Sequence, residues 1–145
     1  MRRRLRATNG LVLDAWALLA WLGNEPGGGT VDKLLRRAEA ARSSLLMSII
    51  NAGEVYYRLV RAHRHDDAGE FIIDLRRHRL PLQLMPATHR RVWEAARLKA
   101  RFPIAYADAF AATLSQETGL PLLTGDPDFL PLERAKECTV RWITR

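Results

Sequence analysis

Two carboxylates, Asp126 and Asp128, follow a short apolar run, Leu120 to Leu123, near the end of the printed chain. The length of this run, and the Pro and Gly residues that bound it, are typical of a buried strand. Ligands of open α/β sheets bind at the carboxyl ends of the strands, because loops converge there outside the packed core. The same Gly-Asp-Pro-Asp residues also suit an ordinary surface turn. This segment alone therefore leaves a site and a turn open.

A second acid is placed in the same way near the other end of the chain. The apolar run 10–13 predicts a first buried strand, and Asp14 stands at its carboxyl end. Helix-forming residues follow at once from Ala15 to Leu22, so the chain passes quickly from strand to helix. Two strands that each deliver an acid at their carboxyl end favour a site over a turn.

Two further acids lie on predicted helices. Glu54 sits at the edge of the apolar stripe of a helix from Ile49 to about His63, where it either turns half inward or pairs with Arg58 at i+4. Asp108 lies in an Ala-rich segment, 104–115, that is apolar nearly all round. An acid in such a helix is seldom tolerated without a partner, which favours a site role over a capping or hydrogen-bonded structural one.

These four acids can act together chemically if they meet in one cleft. Carboxylates that are brought together repel one another, and a hard divalent cation relieves the repulsion. Oxygen ligands without a cysteine cluster suit Mg²⁺ or Mn²⁺ rather than zinc. Such a cation orients water, lowers its pKa and neutralises charge on a reacting phosphate. In a basic protein this combination predicts phosphodiester hydrolysis, with Arg and Lys holding the nucleic acid backbone.

The composition is that of a single globular domain with an anionic partner. The 145 residues are 48% hydrophobic and 27% charged, enough to bury a sizeable core. The net charge of +7 favours nucleic acid first and a membrane surface second as the partner. The single cysteine, Cys138, excludes an internal disulfide and fits a reducing cytoplasm. It reads most simply as a small buried hydrophobe.

The beginning of the chain resembles a signal peptide only superficially. A basic stretch, Met1 to Arg6, precedes the apolar residues Leu11 to Leu22. Asp14 interrupts the apolar part, no small-residue cleavage site follows, and no uncharged apolar segment of about 18 residues exists to span a bilayer. We expect a cytoplasmic protein with no membrane association, in which a basic arm over residues 1–8 adds phosphate contacts and residues 9–145 form one domain.

The elements that must position the acids are strands and helices in near-alternation, which predicts an α/β fold with a mostly parallel sheet. Thr30 is expected to cap a helix from Val31 to about Arg42, and Ser48 is expected to cap the helix that carries Glu54. Pro81 makes its strand an edge or marks its start. The remaining predicted strands are 45–47, 80–85 and 139–143, and the remaining predicted helices are 66–78, 87–101 and a short turn or helix at 129–136. The core stripe of the Glu54 helix is predicted to be Ile49, Ile50, Gly53, Tyr56, Tyr57 and Val60.

Four segments contain the four acids in order: Leu11-Val-Leu-Asp14-Ala-Trp-Ala-Leu-Leu-Ala, Asn51-Ala-Gly-Glu54-Val, Ala105-Tyr-Ala-Asp108-Ala-Phe-Ala-Ala and Leu122-Leu-Thr-Gly-Asp126-Pro-Asp128-Phe. Together they resemble the PIN-domain ribonucleases, and most of all the toxins of VapBC toxin–antitoxin pairs. The resemblance implies a three-layer α/β/α fold with a mostly parallel central sheet. It also implies a metal-dependent endoribonuclease that is usually dimeric and is restrained by a small antitoxin. Asp14, Glu54, Asp108 and Asp126 would then hold the metal, with Asp128 as an auxiliary acid.

One departure from the family pattern concerns a hydroxyl group. The family often has Ser or Thr directly after the first Asp, whereas this chain has Ala15-Trp16. The hydroxyl contact is therefore lost or is supplied elsewhere, for which Thr124 is the candidate. Because all four acids are present, we still expect activity.

Other residues leave alternatives open. The most suitable RNA-backbone set is Arg90, Arg91, Arg97, Lys99 and Arg101, although a solvated charged face is as good an interpretation. The four tryptophans Trp16, Trp21, Trp93 and Trp142 could stack bases, but their apolar settings favour core or dimer contacts. His63 and His65 fit a basic surface loop better than a metal site.

Rival functions make different demands on the sequence. A phosphoaspartate receiver needs paired acids near the first strand and a lysine after the last, and neither is evident. A phosphatase with an Asp-x-Asp pair needs Asp at position 16, where Trp stands. The remaining alternative is a non-catalytic PIN-like scaffold that binds RNA or protein, which the loss of one of the four acids would have favoured.

Overall fold

A computed structural model describes residues 10–143, and the predicted basic arm (residues 1–8) lies outside them. The strands are β1 (Val12–Leu13), β2 (Leu45–Ser48), β3 (Leu82–Met85), β4 (Leu122–Thr124) and β5 (Val140–Trp142). The helices are α1 (Ala15–Leu22), α2 (Gly28–Ala40), α3 (Ile49–Arg61), α4 (His65–Arg76), α5 (His89–Arg101), α6 (Tyr106–Thr118) and α7 (Leu130–Arg134), with one 3₁₀ turn at Pro127–Phe129. None of these helices has the length and apolar character that a membrane span requires.

The five strands form one sheet in the order β3-β2-β1-β4-β5, and every neighbouring pair is parallel. The central strand β1 pairs with β2 on one side and with β4 on the other, where Leu13 stands opposite Leu123. Parallel neighbours end at the same edge of a sheet. The residues that follow β1 and β4 therefore come out side by side. The predicted edge position of the strand after Pro81 is confirmed, because β3 borders the sheet.

Successive strand residues face opposite sides of the sheet and enter two separate cores. Leu13 and Leu123 belong to a core that also contains residues of α1, α2, α3 and α4. Val12 and Leu122 belong to a second core formed mainly with α5, α6 and α7. Since helices cover both faces, the predicted three-layer α/β/α fold is confirmed, with an all-parallel rather than a mostly parallel sheet.

The start of α2 differs from the prediction. The helix begins at Gly28 and ends at Ala40, so Thr30 lies within its first turn and is not the cap. Gly27 takes the N-cap position with φ 93°, a left-handed conformation that glycine adopts without steric cost. The cluster of glycines therefore does more than form a loop: it lets the chain turn directly into the helix.

The predicted core stripe of α3 is correct only for Ile50 and Val60, which are half-buried against the cores, whereas Ser48 caps this helix as expected. The buried residues of α3 are Asn51, Ala52, Val55 and Leu59, whereas Ile49, Tyr56 and Tyr57 are each at least 40% exposed. The cause is Asn51, whose Nδ2 donates to the carbonyl oxygen of Ala107 at 3.0 Å and is thereby satisfied inside the protein. If Asn51 is counted as a surface residue, the apolar stripe inferred from the sequence is displaced around the helix axis by about 100°, the angle between successive residues.

Candidate functional site

A cavity of about 380 Å³ opens at the carboxyl edge of the sheet. It is lined by four acids from different elements of the fold, Asp14 after β1, Glu54 on α3, Asp108 on α6 and Asp126 after β4, and also by Glu25 in the loop between α1 and α2. The structure thus brings together the four acids that the sequence singled out. The position of two of them follows from the neighbouring strands β1 and β4.

Asp14 is held from both sides at the start of α1. Its side chain caps the helix, with Oδ1 accepting from the backbone N–H of Ala17 at 3.0 Å, while Oδ2 accepts from the hydroxyl of Thr124 at 2.5 Å. The residue is 2% exposed. Burial raises the pKa of Asp14 to about 7, against the opposing effect of these two hydrogen bonds and with a smaller contribution from the charges of Asp108 and Asp126.

The Thr124 hydroxyl also fixes the loop that follows β4. It accepts from the backbone N–H of Asp126 at 3.0 Å while it donates to Asp14. Asp126 Oδ1 in turn accepts from the backbone N–H of Asp128 at 2.9 Å, at the start of the 3₁₀ turn. One hydroxyl therefore sets the relative positions of the acids of two strands. Ala15 has no hydroxyl group and cannot make such a contact.

Asp108 lies in the first turn of α6 and is 9% exposed. One carboxylate oxygen from each of Asp108, Asp126 and Asp128 lies within 4.8 Å of the others. Burial, followed by the charges of Asp126, Glu54 and Asp128, raises the pKa of Asp108 to about 7, and the guanidinium of Arg58 opposes the shift. Without a cation, Asp108 is therefore only partly ionised at neutral pH.

Glu54 combines the two arrangements that its sequence position left open. Its side chain is only 14% exposed and faces the cavity, and Oε2 accepts from Nε of Arg58 at 2.8 Å, one helical turn later. Desolvation by burial works to lower the pKa of Arg58, but the hydrogen bond and the charge of Glu54 raise it overall. Arg58 therefore stays charged beside the acids.

Two arginines that were not proposed as site residues line the same cavity, Arg58 and Arg64. Arg64 donates from Nε to Asp67 at 2.8 Å and from Nη2 to the carbonyl oxygen of Leu22 at 2.8 Å. The i+4 spacing to Glu54 was a usable signal for Arg58. Arg64 offered no such signal, because its contact with the end of α1 exists only in the folded chain.

The donor set fits a hard divalent cation. The ionisable residues that line the cavity within residues 10–143 are carboxylates and arginines, with no cysteine or histidine among them. Carboxylate oxygens are the ligands that Mg²⁺ and Mn²⁺ prefer. Burial first, and the charges of neighbouring acids after it, raise the pKa values of Asp14 and Asp108, and a bound cation would favour their ionised forms against both effects.

None of the five basic residues predicted to hold RNA lines this cavity. All five lie on α5, and four of them have partners within the protein. Arg91 pairs with Glu117 at 3.0 Å, Arg97 with Glu94 at 2.5 Å and Arg101 with Glu137 at 2.5 Å, and Lys99 donates to the carbonyl oxygen of Ile104 at 2.8 Å. Arg90 is exposed. An RNA-binding role for this set remains a prediction.

Trp16 lines the acidic cavity, whereas the other three tryptophans and Cys138 do not. Trp21 donates to Asp32 at 3.1 Å, Trp142 donates to Glu133 at 2.8 Å, and Trp93 is 65% exposed. Cys138 is half-buried rather than buried, and burial raises its pKa to about 11, so its thiol stays protonated. His63 and His65 are exposed, as expected for a surface loop.

Removing the Thr124 hydroxyl tests how the two acidic segments are joined. We expect Thr124→Val to lower the free energy of unfolding by about 1–3 kcal/mol, because Asp14 loses a donor and the N–H of Asp126 loses its acceptor. Thr124→Ser keeps the hydroxyl and serves as the matched control. Urea unfolding of both variants measures the difference, and equal stabilities would contradict the role of the hydroxyl.

Comparison with known proteins agrees with this geometry. The profile of the PIN domain matches residues 11–135. No curated protein sequence matches the chain. Among solved structures, VapBC from Salmonella typhimurium bound to DNA is similar with a TM-score of 0.69 and 14% identity, over 93% of this chain and 98% of that one.

Two structures from Mycobacterium tuberculosis are also similar. VapC20, a sarcin-ricin loop cleaving toxin, has a TM-score of 0.67 and 18% identity over 83% of this chain and 93% of its own. VapBC-5, of the VapBC family of toxin–antitoxin systems, has a TM-score of 0.59 and 17% identity over 94% and 99% of the two chains. At these identities the similarity shows the fold. Because the PIN domain profile spans well over half of the sequence, this chain belongs to the PIN domain family.

Proposed function

We propose that this protein is a metal-dependent endoribonuclease and the toxin component of a type II toxin–antitoxin pair. The observation that carries the proposal is the convergence of Asp14, Glu54, Asp108 and Asp126 on one cavity, with Asp128 close to two of them. Membership of the PIN domain family supports a nuclease. The similarity to VapC20, which is named as a toxin that cleaves the sarcin-ricin loop, supports RNA as the substrate.

In this proposal, Asp14, Glu54, Asp108 and Asp126 hold Mg²⁺ or Mn²⁺, with Asp128 as an auxiliary acid. When bound, such a cation makes water a better nucleophile at neutral pH and neutralises charge that develops on the phosphate. Cleavage by water forms one bond from the water oxygen to phosphorus and breaks one phosphorus–oxygen bond. The products are a phosphate monoester end and a hydroxyl end.

The protein's own residues orient the acids and the RNA. Thr124 holds Asp14 and the Asp126 loop in register, so that the acids need no rearrangement before the substrate binds. Arg58 and Arg64 place positive charge at the wall of the cavity, where the RNA backbone approaches the acids. The α5 set of Arg90, Arg91, Arg97, Lys99 and Arg101 is proposed as a more distant contact for the same backbone.

A protein partner and a second copy of the chain complete the proposal. The VapBC structures support a small VapB-like antitoxin as the partner. The exposed residues Ile49, Tyr56 and Tyr57 give α3 an apolar face that no other described element covers, which supports a homodimer. We place the protein in the cytoplasm, which contains both RNA and such partners.

Cleavage of purified RNA tests the function directly. We expect the protein to cut single-stranded RNA internally with Mg²⁺ or Mn²⁺ and to lose this activity when EDTA removes the metal. Adding back either cation should restore it, because the acidic cluster cannot act alone. Gel analysis of end-labelled RNA gives the measurement. A protein that is inert with both cations would contradict the proposal and favour the non-catalytic scaffold.

A further inference from the structure

The cavity extends beyond the acids along two helices. On α1 it follows Asp14 with Ala15, Trp16 and Leu19, and on α3 it continues from Glu54 through Arg58 and Leu59 to the capping residue Ala62. At a rise of about 1.5 Å per residue, Ala62 lies roughly 12 Å along the axis from Glu54. Beside the four acids, the wall of the cavity therefore combines the apolar side chains Trp16, Leu19 and Leu59 with the charged residues Glu25, Arg58 and Arg64.

Trp16 is the largest apolar side chain in this part of the cavity, and its position is fixed by Gly125. A Cβ atom added to Gly125 would lie closer than 3.0 Å to three adjacent carbons of the six-membered ring, at nearly equal distances. Near-equal distances to a carbon and both of its neighbours place Gly125 against the face of the ring rather than its edge. The indole is half-buried: it also contacts Gly27 and the core, and part of it lines the cavity.

Trp16, Leu19 and Leu59 offer no oxygen ligand to a divalent metal ion and no hydrogen-bond donor to a phosphate oxygen, apart from the indole N–H. An unpaired nucleobase suits this apolar wall, since it has a flat apolar face that stacks on aromatic residues. Among the charged groups beside this wall, Arg64 suits the phosphate of the same nucleotide. Arg64 is held by Asp67 and by the carbonyl oxygen of Leu22, so its charge is already positioned for a backbone phosphate.

We propose that Trp16 is the stacking surface for one unpaired base of the RNA, next to the phosphate that lies at the acids. This inference rests on the proposed function and deepens it, because it assigns a residue of this chain to the recognition of one unpaired base. Ala15, beside Trp16, stands where the family often has a hydroxyl residue, and Thr124 supplies the hydroxyl contact to Asp14 instead.

The test combines a change in the protein with a change in the RNA. RNA oligonucleotides that the wild type cleaves are prepared with a single abasic site at each position near the cut. Binding is measured by fluorescence anisotropy in an Asp108→Asn background, in which the RNA stays intact. We expect Trp16→Leu to weaken binding of the unmodified RNA about tenfold, whereas Trp16→Phe retains most of the affinity.

The abasic RNA separates stacking from a structural effect. One abasic position should correspond to the base that stacks on Trp16. At that position, the missing base should weaken RNA binding to the Trp16-containing protein about tenfold and should weaken binding to the Trp16→Leu protein hardly any further. If Trp16→Leu weakens binding equally for intact RNA and every abasic RNA, the ring only supports the fold and the inference is wrong.

Two other outcomes distinguish this inference from the function itself. RNA binding that Trp16→Leu leaves unchanged overturns the inference but not the nuclease function, and it would assign the apolar wall to a protein partner. A wild type that cleaves no RNA, with an Asp108→Asn protein that binds none, overturns both.

Discussion

We expect Asp108→Asn to lower RNA cleavage at least a hundredfold while the protein becomes more stable. Asparagine has nearly the shape of aspartate but carries no charge, so the site loses an anionic ligand without losing its packing. The expected loss has the size found when a group that stabilises charge in the transition state is removed. Initial rates with labelled RNA in saturating Mg²⁺ provide the measurement.

The gain in stability has the same electrostatic cause. In the protein without metal, Asp108 ionises against burial and against the charges of Asp126, Glu54 and Asp128, which raise its pKa from 3.8 to about 7. Since one pKa unit corresponds to about 1.4 kcal/mol, Asp108→Asn should raise the free energy of unfolding at pH 8 by up to about 4 kcal/mol. A catalytic loss that came from misfolding would be accompanied by a lower stability instead.

Asp66→Asn is the matched control for this variant. Asp66 is an exposed acid in the first turn of α4, so its replacement makes the same change of charge outside the cavity. We expect this variant to cleave RNA like the wild type. Undiminished cleavage by Asp108→Asn would contradict the proposed role of Asp108, and equal losses in both variants would point to a general effect of net charge.

Strand order and strand ends explain why the sequence predicted so much of the site. Short apolar runs that stop at an acid identify the carboxyl edge of a parallel sheet, and this edge is where Asp14 and Asp126 meet. Asp108 can be identified as a candidate site residue from the sequence, because an acid in an apolar helix needs a partner. Periodicity and local chemistry are sufficient for such residues.

Pairing between distant residues explains what the sequence did not predict. Asn51 is buried because it bonds to Ala107 on another helix, and that partner is invisible to a local pattern. Arg64 reaches the cavity because Leu22 offers a carbonyl oxygen at the end of α1. The contact of Trp16 with Gly125 likewise joins two segments that only the fold brings together.

Without metal, the free energy of unfolding should change with pH in the direction opposite to that expected for a protein stabilised by ionised acids. Burial and neighbouring charges raise the pKa values of Asp14 and Asp108 to about 7, from 3.8 in the unfolded chain. Between about pH 4 and 7 the folded protein holds protons that the unfolded chain has released. The free energy of unfolding without metal should therefore fall as the pH rises through this window, by at most about 2.7 kcal/mol per unit for two protons.

Mg²⁺ or Mn²⁺ should remove this instability in a pH-dependent way. A cation that binds the ionised acids of the folded state stabilises it and displaces their protons. We expect millimolar Mg²⁺ to raise the melting temperature strongly at pH 8 and very little at pH 5. Calorimetric titration in two buffers of different ionisation enthalpy should show proton release at pH 6 to 7.

The variant Asp14→Asn/Asp108→Asn removes both titrating groups, so its stability should be nearly independent of pH in this range and of Mg²⁺. A melting temperature that rises from pH 5 to 8 without metal would contradict the raised pKa values of Asp14 and Asp108, and a Mg²⁺ shift of equal size at both pH values would contradict a cation bound by their ionised forms.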